Sequence, residues 1–401
     1  MRALSEAQFR AATEGGVPDP EQVDVRPDGT ELWSVAVPMP DSLLAYTLTA
    51  VLVAASGEIT VVDPGWETPE THAHLDAAFA RIARDPADIA HIVVTHAHPD
   101  HLGSAEALRR ATGARLLMHE REQLAVDRVR ALAVAPAGVG GDPATGGEVG
   151  GAVGVGAGGA GGEADGGAGG GGAGGGGAGV AGGGAGGEAR AAAAAVVARW
   201  GVPDAEREGL TAQFARSRSN LTLAQPAEVL LHDGDVLPID GAVWRVLHSP
   251  GHTSGHICLI DDERRLILTG DHVLPTVFPG VGLGIDRRLG GAEDDDPIAE
   301  YLAALERLVP YDDYDALPGH GYRFTGLGER RRATAEHLLK RAREVGAVLA
   351  REPDASIWRI AAQLSWSAGW DRLSGGPMLA SALLQTGLHV RFVRGGGLAR
   401  G

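Results

Sequence analysis

Lysine is almost missing from this chain: Lys340 is the only one among 35 basic residues, so arginine carries the basic surface. Against 52 acidic residues this leaves a formal net charge of -17. Long-range attraction to phosphates needs a positive face, so nucleic acid is disfavoured as a partner and a small molecule is favoured. Cysteine is reduced to Cys258, which excludes a disulfide within the chain and any thiolate metal cluster. Its place in the apolar run His256–Ile260 reads as a buried strand thiol. No apolar stretch reaches the roughly 18 residues that a bilayer span requires. The first residues, Met1–Ala12, read as a short amphipathic helix with Glu6 and Arg10 and lack the apolar core of a secretory signal. A cytoplasmic protein with no membrane contact is expected.

Glycine is abundant, but in one place. Of the chain's 61 glycines, 29 fall within the 50 positions Gly138–Gly187. Such a segment can bury almost nothing to offset its ordering entropy, so a disordered insertion is expected there. On either side, strand and helix patterns alternate, which predicts a layered α/β fold. Residues 1–137 form a first half, with strands at Leu43–Val53, Glu58–Val62, Ile89–Thr95 and Ala114–His119 and helices at Glu70–Arg84 and Ser104–Thr112. Residues 188–350 begin with two helices, Ala191–Trp200 and Asp204–Arg218, expected to cover a cleft. They continue with strands at Val243–His248, His256–Ile260, Arg265–Thr269 and Tyr314–Leu317. The helix Pro297–Leu308 follows Asp294, Asp295 and Asp296, whose charges suit the positive end of a helix dipole.

Residues 351–401 read as a small, mostly helical unit. Helices at Ile357–Leu364 and Pro377–Thr386 and a strand at His389–Val393, with Trp358, Trp366 and Trp370 between them, suggest a winged-helix-like arrangement. The few arginines form no basic stripe, so packing or homodimerisation is the expected role.

The chemistry is carried by Thr95-His96-Ala97-His98-Pro99-Asp100-His101, a strand-to-helix turn with three imidazoles and a carboxylate within six residues. A turn lets these side chains converge on one point, as a helix or strand interior does not, and this residue set is that of a metal site. Such a site needs further ligands, and three other turns offer them. Ser249-Pro250-Gly251-His252-Thr253, Thr269-Gly270-Asp271-His272 and Pro318-Gly319-His320-Gly321 each follow a strand and place a ligand type beside a glycine, where the backbone bends sharply.

The order HxHxDH, PGHT, GDH, PGHG resembles the metallo-β-lactamase superfamily, over about Glu31–Arg323. The resemblance implies a four-layer αβ/βα sandwich with two metal ions at one edge. His96, His98 and His252 would bind the first, Asp100, His101 and His320 the second, and Asp271 would bridge them. Asp63, in Val62-Asp63-Pro64-Gly65, matches an early aspartate that supports the metal-binding turn. The ligands resemble those of hydroxyacylglutathione hydrolases and lack the cysteine that some zinc β-lactamases use.

Two divalent ions about 3.5 to 4 Å apart lower the pKa of a bound water to about 7. Zinc is the expected metal, with manganese or iron as alternatives. The hydroxide so formed would attack an ester, thioester or lactone, with Asp100 or Asp271 orienting its proton. The apolar segment Val273–Ile285 would line the cleft and suit an apolar acyl group. His272 reads as a surface residue, or as one that lies behind the ligands or touches substrate, and His248 and His256 are expected to be packed or to support ligands. Two other activities fit parts of the pattern: a mononuclear-iron persulfide dioxygenase, and an endoribonuclease using the C-terminal unit.

Overall fold

The computed structural model describes residues 1–40, 44–134, 185–216, 226–239, 241–284, 295–376 and 378–399. The insertion expected over 138–187 lies outside them, except that 185–187 begin a helix. The first half comprises β1 (Arg2–Ala3), α1 (Glu6–Glu14), β2 (Glu21–Val25), β3 (Glu31–Pro38), β4 (Tyr46–Val53), β5 (Ile59–Val62), α2 (Pro69–Arg81), β6 (Ile89–Val94), α3 (Pro99–Leu102), α4 (Ala105–Thr112), β7 (Arg115–His119) and α5 (Glu120–Val134). The second comprises α6 (Ala185–Arg199), α7 (Asp204–Arg216), β8 (Val229–Leu231), β9 (Arg245–His248), β10 (Ile257–Asp261), β11 (Leu266–Gly270), α8 (Pro297–Arg307), β12 (Asp315–Pro318) and β13 (Phe324–Thr325). Helices α9 (Leu327–Arg351), α10 (Ile357–Ala361), α11 (Trp370–Ser374) and α12 (Leu379–Arg394) complete the chain.

Two sheets face each other. One runs β2-β3-β4-β5-β6-β7-β8 and the other β1-β13-β12-β11-β10-β9. Because side chains alternate along a strand, each central strand feeds two cores. In β4, Ala50 and Leu52 join the core between the sheets, while Val51 and Val53 face α2 and α4 with Ile92 and Val94 of β6. In β10, Ile257 and Leu259 point into the same inter-sheet core. Cys258 and Ile260 point outward to Ile298, Tyr301 and Leu305 of α8. The result is the αβ/βα sandwich expected from the sequence. Cys258 is fully buried, and burial pushes its thiol up to about 12, so it stays protonated.

Local chemistry sets the helix starts. Thr68 caps α2 by accepting from the Thr71 amide at 3.1 Å, with Pro69 in the first turn. Asp296 caps α8, its carboxylate accepting from Ile298 and Ala299 amides at 3.2 and 3.1 Å. The acidic run is therefore a helix start at Asp296, while Asp294 lies outside the described residues.

The tail departs from expectation. His389–Val393 is not a strand but the last turns of α12. Its alternating sequence mimics a strand locally, yet Leu379, Leu383, Thr386 and Val390 are buried at helical spacing against α9 and α10. Every element of the tail among its described residues is a helix, joined by turns, without the strand expected of a winged-helix-like unit. Residues 327–351, to which no element was assigned from sequence, form the longest described helix, α9, with Leu338, Ala342, Val345 and Val348 on its buried face. Helices α6 and α7 pack on the tail, where Ala193, Val197, Val202 and Leu210 meet Ala361, Leu379, Ala380 and Leu383.

Candidate metal centre

Every turn singled out in the sequence leaves the same end of the sandwich. Strands β5, β6 and β7 run parallel, as do β11 and β12. Asp63, His96, Asp271 and His320 thus follow strand C-terminal ends, where α/β folds gather their ligands. His252 arrives on the turn after β9, which the His256 carbonyl holds through the Ser249 amide at 2.8 Å.

Two clusters result. The ligand-capable atoms of His96, His98, His252 and Asp271 lie within 4.8 Å of one another, and those of Asp100, His101 and His320 do likewise. In the first, His98 Nδ1 is 2.9 Å from His96 Nε2 and 3.1 Å from His252 Nε2. In the second, His101 Nε2 is 3.3 Å from His320 Nε2, and Asp100 Oδ2 is 3.2 Å from His320 Nε2. Asp271 stands between them. Its Oδ2 is 3.6 Å from His252 Nε2, and its Oδ1 is 3.5 Å from His101 Nε2 and 3.4 Å from His320 Nε2.

The far side of each ring explains why the near side is available. His96 Nδ1 meets Thr95 Oγ1 at 3.1 Å, and that hydroxyl donates to Asp63 Oδ2 at 2.7 Å. His101 Nδ1 meets Asp63 Oδ2 at 2.9 Å, His252 Nδ1 the Gly280 carbonyl at 2.7 Å, and His320 Nδ1 the Tyr46 carbonyl at 2.9 Å. Each of these partners is an acceptor, so each Nδ1 carries a proton and each Nε2 faces its cluster, offering a lone pair wherever the ring is neutral. His98 is turned the other way, with Nε2 3.3 Å from the Leu283 carbonyl and Nδ1 facing inward.

Facing lone pairs repel unless a cation lies among them. Asp271 Oδ1, fully buried, has no hydrogen-bond partner, and among the described residues the ion pairs of Asp63, Asp100 and Asp271 are all with histidines. Buried carboxylates of this kind are costly without positive charge, so the donor set fits metal ions.

Burial opposes charge throughout the site and prevails at His96 and His252, which it pushes below the ordinary imidazole value and leaves neutral. Beside the carboxylates the balance reverses. Burial lowers His101, but Asp63, Asp271 and Asp100 outweigh it and raise the ring; His320 is raised further by Asp271 and Asp100. Burial raises Asp100, but His101 and His320 outweigh it and bring the carboxyl to about 2. Asp271 falls well below its usual range against the same burial, under His320 and His101.

His272 is fully buried against the Tyr301 ring at 4.4 Å, with both ring nitrogens unpartnered, and burial pushes it down to about 3. It is a core residue beside the centre. His256 does more than pack: its Nδ1 meets Ser249 Oγ at 2.8 Å and its Nε2 accepts from the Asp271 amide at 3.1 Å. Burial, then His272 and His252, keeps it neutral, as that acceptor role requires. The segment after Asp271 borders the site through the Gly280 and Leu283 carbonyls, while Ile285 lies outside the described residues. Glu122 and Gln385, which hold these loops, carry no sequence motif and were not anticipated.

An αβ/βα sandwich with two His/Asp clusters at one edge defines a class of metal-binding proteins. The family profile described as metallo-beta-lactamase superfamily matches residues 47–187 and 182–320, and the chain belongs to that superfamily. Among solved structures, a beta-lactamase domain protein from Burkholderia ambifaria is similar in fold, with TM-score 0.62 and 20% identity, covering 94% of this chain and 88% of that one. A metallo-beta-lactamase family protein from Thermus thermophilus has TM-score 0.60 and 22% identity, covering 91% and 94%. Among curated proteins, an atrochrysone carboxyl ACP thioesterase from Aspergillus chevalieri is 28% identical over 42% of this chain and 52% of its own length. The hydroxyacylglutathione hydrolase GloC from Haemophilus influenzae is 31% identical over 33% and 61%. The lactamase-like protein adaB from Aspergillus niger is 30% identical over 30% and 34%. The chain thus spans between a third and two thirds of the length of these curated relatives. Among the described residues, no helix is long and apolar enough to cross a membrane.

Proposed function

We propose that this chain is a metal-dependent hydrolase that cleaves an ester, thioester or lactone of a small molecule with an apolar acyl group. The observation that carries the reading is Asp271, whose two oxygens face different clusters while Oδ1 lacks any hydrogen-bond partner. His96, His98 and His252 would hold one divalent ion, Asp100, His101 and His320 a second, and Asp271 would touch both, with zinc as the metal that best suits imidazole and carboxylate together. A pair of such ions, when bound, makes hydroxide available near neutral pH and polarises the carbonyl to be attacked.

The chain's own groups do the positioning. Thr95, Asp63, Gly280 and Tyr46 fix the tautomer and direction of four imidazoles. Asp100, held ionised by His101 and His320, can orient the proton of the attacking nucleophile. The likeness to an ACP thioesterase and a hydroxyacylglutathione hydrolase favours a thioester within this class. A mononuclear-iron dioxygenase would need only two His and one Asp, and would leave the buried trio Asp100, His101 and His320 without a purpose.

Metal analysis of the purified protein is expected to return about two equivalents per chain. Screening acyl-CoA, S-lactoylglutathione, p-nitrophenyl esters, lactones and a short RNA should give hydrolysis of a thioester or ester, abolished by chelation and restored by zinc. One tightly held iron, with oxygen uptake on glutathione persulfide, would overturn the proposal.

A further inference from the structure

The first cluster draws its imidazoles from two separate halves of the chain. His96 and His98 sit on the turn after β6, His252 on the turn after β9, and these turns share no strand pairing. The Ile257 amide donates to the Thr95 carbonyl at 3.0 Å beside them, and one buried side chain bonds to both turns themselves. Glu122, in the first turn of α5 and 2% exposed, accepts from the Ala97 amide at 2.8 Å through Oε2. Through Oε1 it accepts from the Thr253 hydroxyl at 2.6 Å and the Gly255 amide at 2.8 Å. Ala97 lies between His96 and His98, and Thr253 directly follows His252.

We infer that Glu122 is a positioning residue that sets the spacing of the three imidazoles in the first cluster, and so the affinity of its metal ion. The inference rests on the two-metal reading above. Its physical basis is that an ionised carboxylate accepts at both oxygens, and hydrogen bonds to a charged acceptor are about twice as strong as neutral ones. One rigid group therefore fixes the main chain of both turns, rather than each ring separately. Room for it is built in at Gly255, where an added Cβ would meet the Glu122 amide nitrogen at 2.6 Å, its Cγ at 2.9 Å and Arg121 Cβ at 3.0 Å. Only glycine lets the second turn approach α5 so closely. Glu122 accepts from the main-chain amides of Ala97 and Gly255, so it acts on the ligands' spacing through the backbone of both turns.

Glu122→Gln tests this without changing size. The amide offers one acceptor and one NH2, so whichever way it turns, a donor faces a donor at one of the two turns. Zinc titration against a chromophoric chelator, with full-length protein, reads each equivalent separately. Wild type should bind two equivalents. In E122Q one equivalent should weaken roughly ten- to a hundredfold, the range for losing a group that orients metal ligands, while the other keeps its wild-type affinity. The rise in Tm that zinc confers should shrink accordingly, since ligand binding stabilises in proportion to its affinity.

A merely structural role would lower Tm equally with and without zinc and leave both affinities unchanged; that result would overturn the inference. If E122Q does not fold, Thr253→Val removes one donor only and should weaken the same equivalent by a smaller factor, whereas unchanged binding would again count against it. Should wild type bind a single equivalent, the two-metal reading fails by itself, and the Glu122 inference is then decided by whether that one equivalent weakens in E122Q.

Discussion

Asp63 holds His101 from behind, with its Oδ2 2.9 Å from His101 Nδ1 and its Oδ1 accepting from the Thr95 amide at 2.7 Å. The residue is buried and adopts φ 55, a left-handed conformation that aspartate tolerates better than most side chains. Both carboxylate oxygens are engaged, so neither can be exchanged for a donor without conflict. Asp63→Asn keeps the volume and should weaken metal binding by the Asp100, His101 and His320 cluster roughly ten- to a hundredfold. Zinc titration of the variant checks this, and unchanged binding of both equivalents would show that the His101 ring is oriented by other means.

Gly319 is a steric requirement of the same cluster. A Cβ there would lie 2.5 Å from Asp271 Oδ1 and 2.8 Å from His101 Cε1. Gly319→Ala must push aside a carboxylate and an imidazole that the catalytic reading needs, and misplacement on the order of 1 Å at a reacting centre can cost about a hundredfold in rate. kcat/KM should fall by about that factor with circular dichroism unchanged; wild-type kcat/KM would show that the two side chains are not held where activity needs them.

The helical tail reaches the loop beside the centre through Gln385. Gln385 of α12 donates from Nε2 to the Val281 carbonyl at 2.7 Å and accepts from its amide at 3.4 Å. Val281 sits between the carbonyls of Gly280 and Leu283 that meet His252 and His98. Gln385→Ala should cost about 1 kcal/mol of stability in urea unfolding of the metal-free protein, the net worth of such a bond, and should also weaken zinc binding. A variant with the stability loss alone would confine Gln385 to packing.

Acid sensitivity is built in outside the metal clusters. The rings of His119 and His248 stack at 4.2 Å and 10°, at the ends of β7 and β9. Burial, then His248 and Arg121, pushes His119 from the ordinary 6.5 down to about 3, and burial likewise lowers His248. Below pH 6.5 the unfolded chain therefore takes up protons that the folded one refuses, so stability falls as pH drops from 6.5 toward 3. His119→Asn keeps an acceptor for the Arg121 amide, which lies 3.2 Å from His119 Nδ1, but removes the proton site. Urea midpoints of the metal-free proteins at pH 7 and pH 5 should show a shallower loss for the variant; equal losses would place the sensitivity elsewhere.

The candidate site was legible because its side chains announce themselves locally. A histidine or aspartate just after an apolar strand is a turn at a strand end whatever the rest of the chain does, and that pattern marks His96, His252, Asp271 and His320, the last three beside a glycine. The layered fold was legible for a related reason, since strands buried on both faces, such as Tyr46–Val53 and Ile257–Asp261, read as near-continuous apolar runs. His389–Val393 shows where local reading fails: five residues that alternate like a strand became helix because α9 and α10 offer a face only a helix can match.

The sequence by itself determined which residue types stand at the ends of the strands and that their chemistry is that of a metal centre. Only the tertiary structure decided which ring nitrogen faces inward, that His256 holds the Asp271 main chain, and that Glu122 and Gln385 bind the surrounding loops. The reason is physical. Ligand chemistry resides in a side chain and survives in any context, whereas a supporting hydrogen bond is made by an ordinary glutamate, glutamine or carbonyl whose partner, 274 residues away in the case of His320 and Tyr46, is chosen by folding alone.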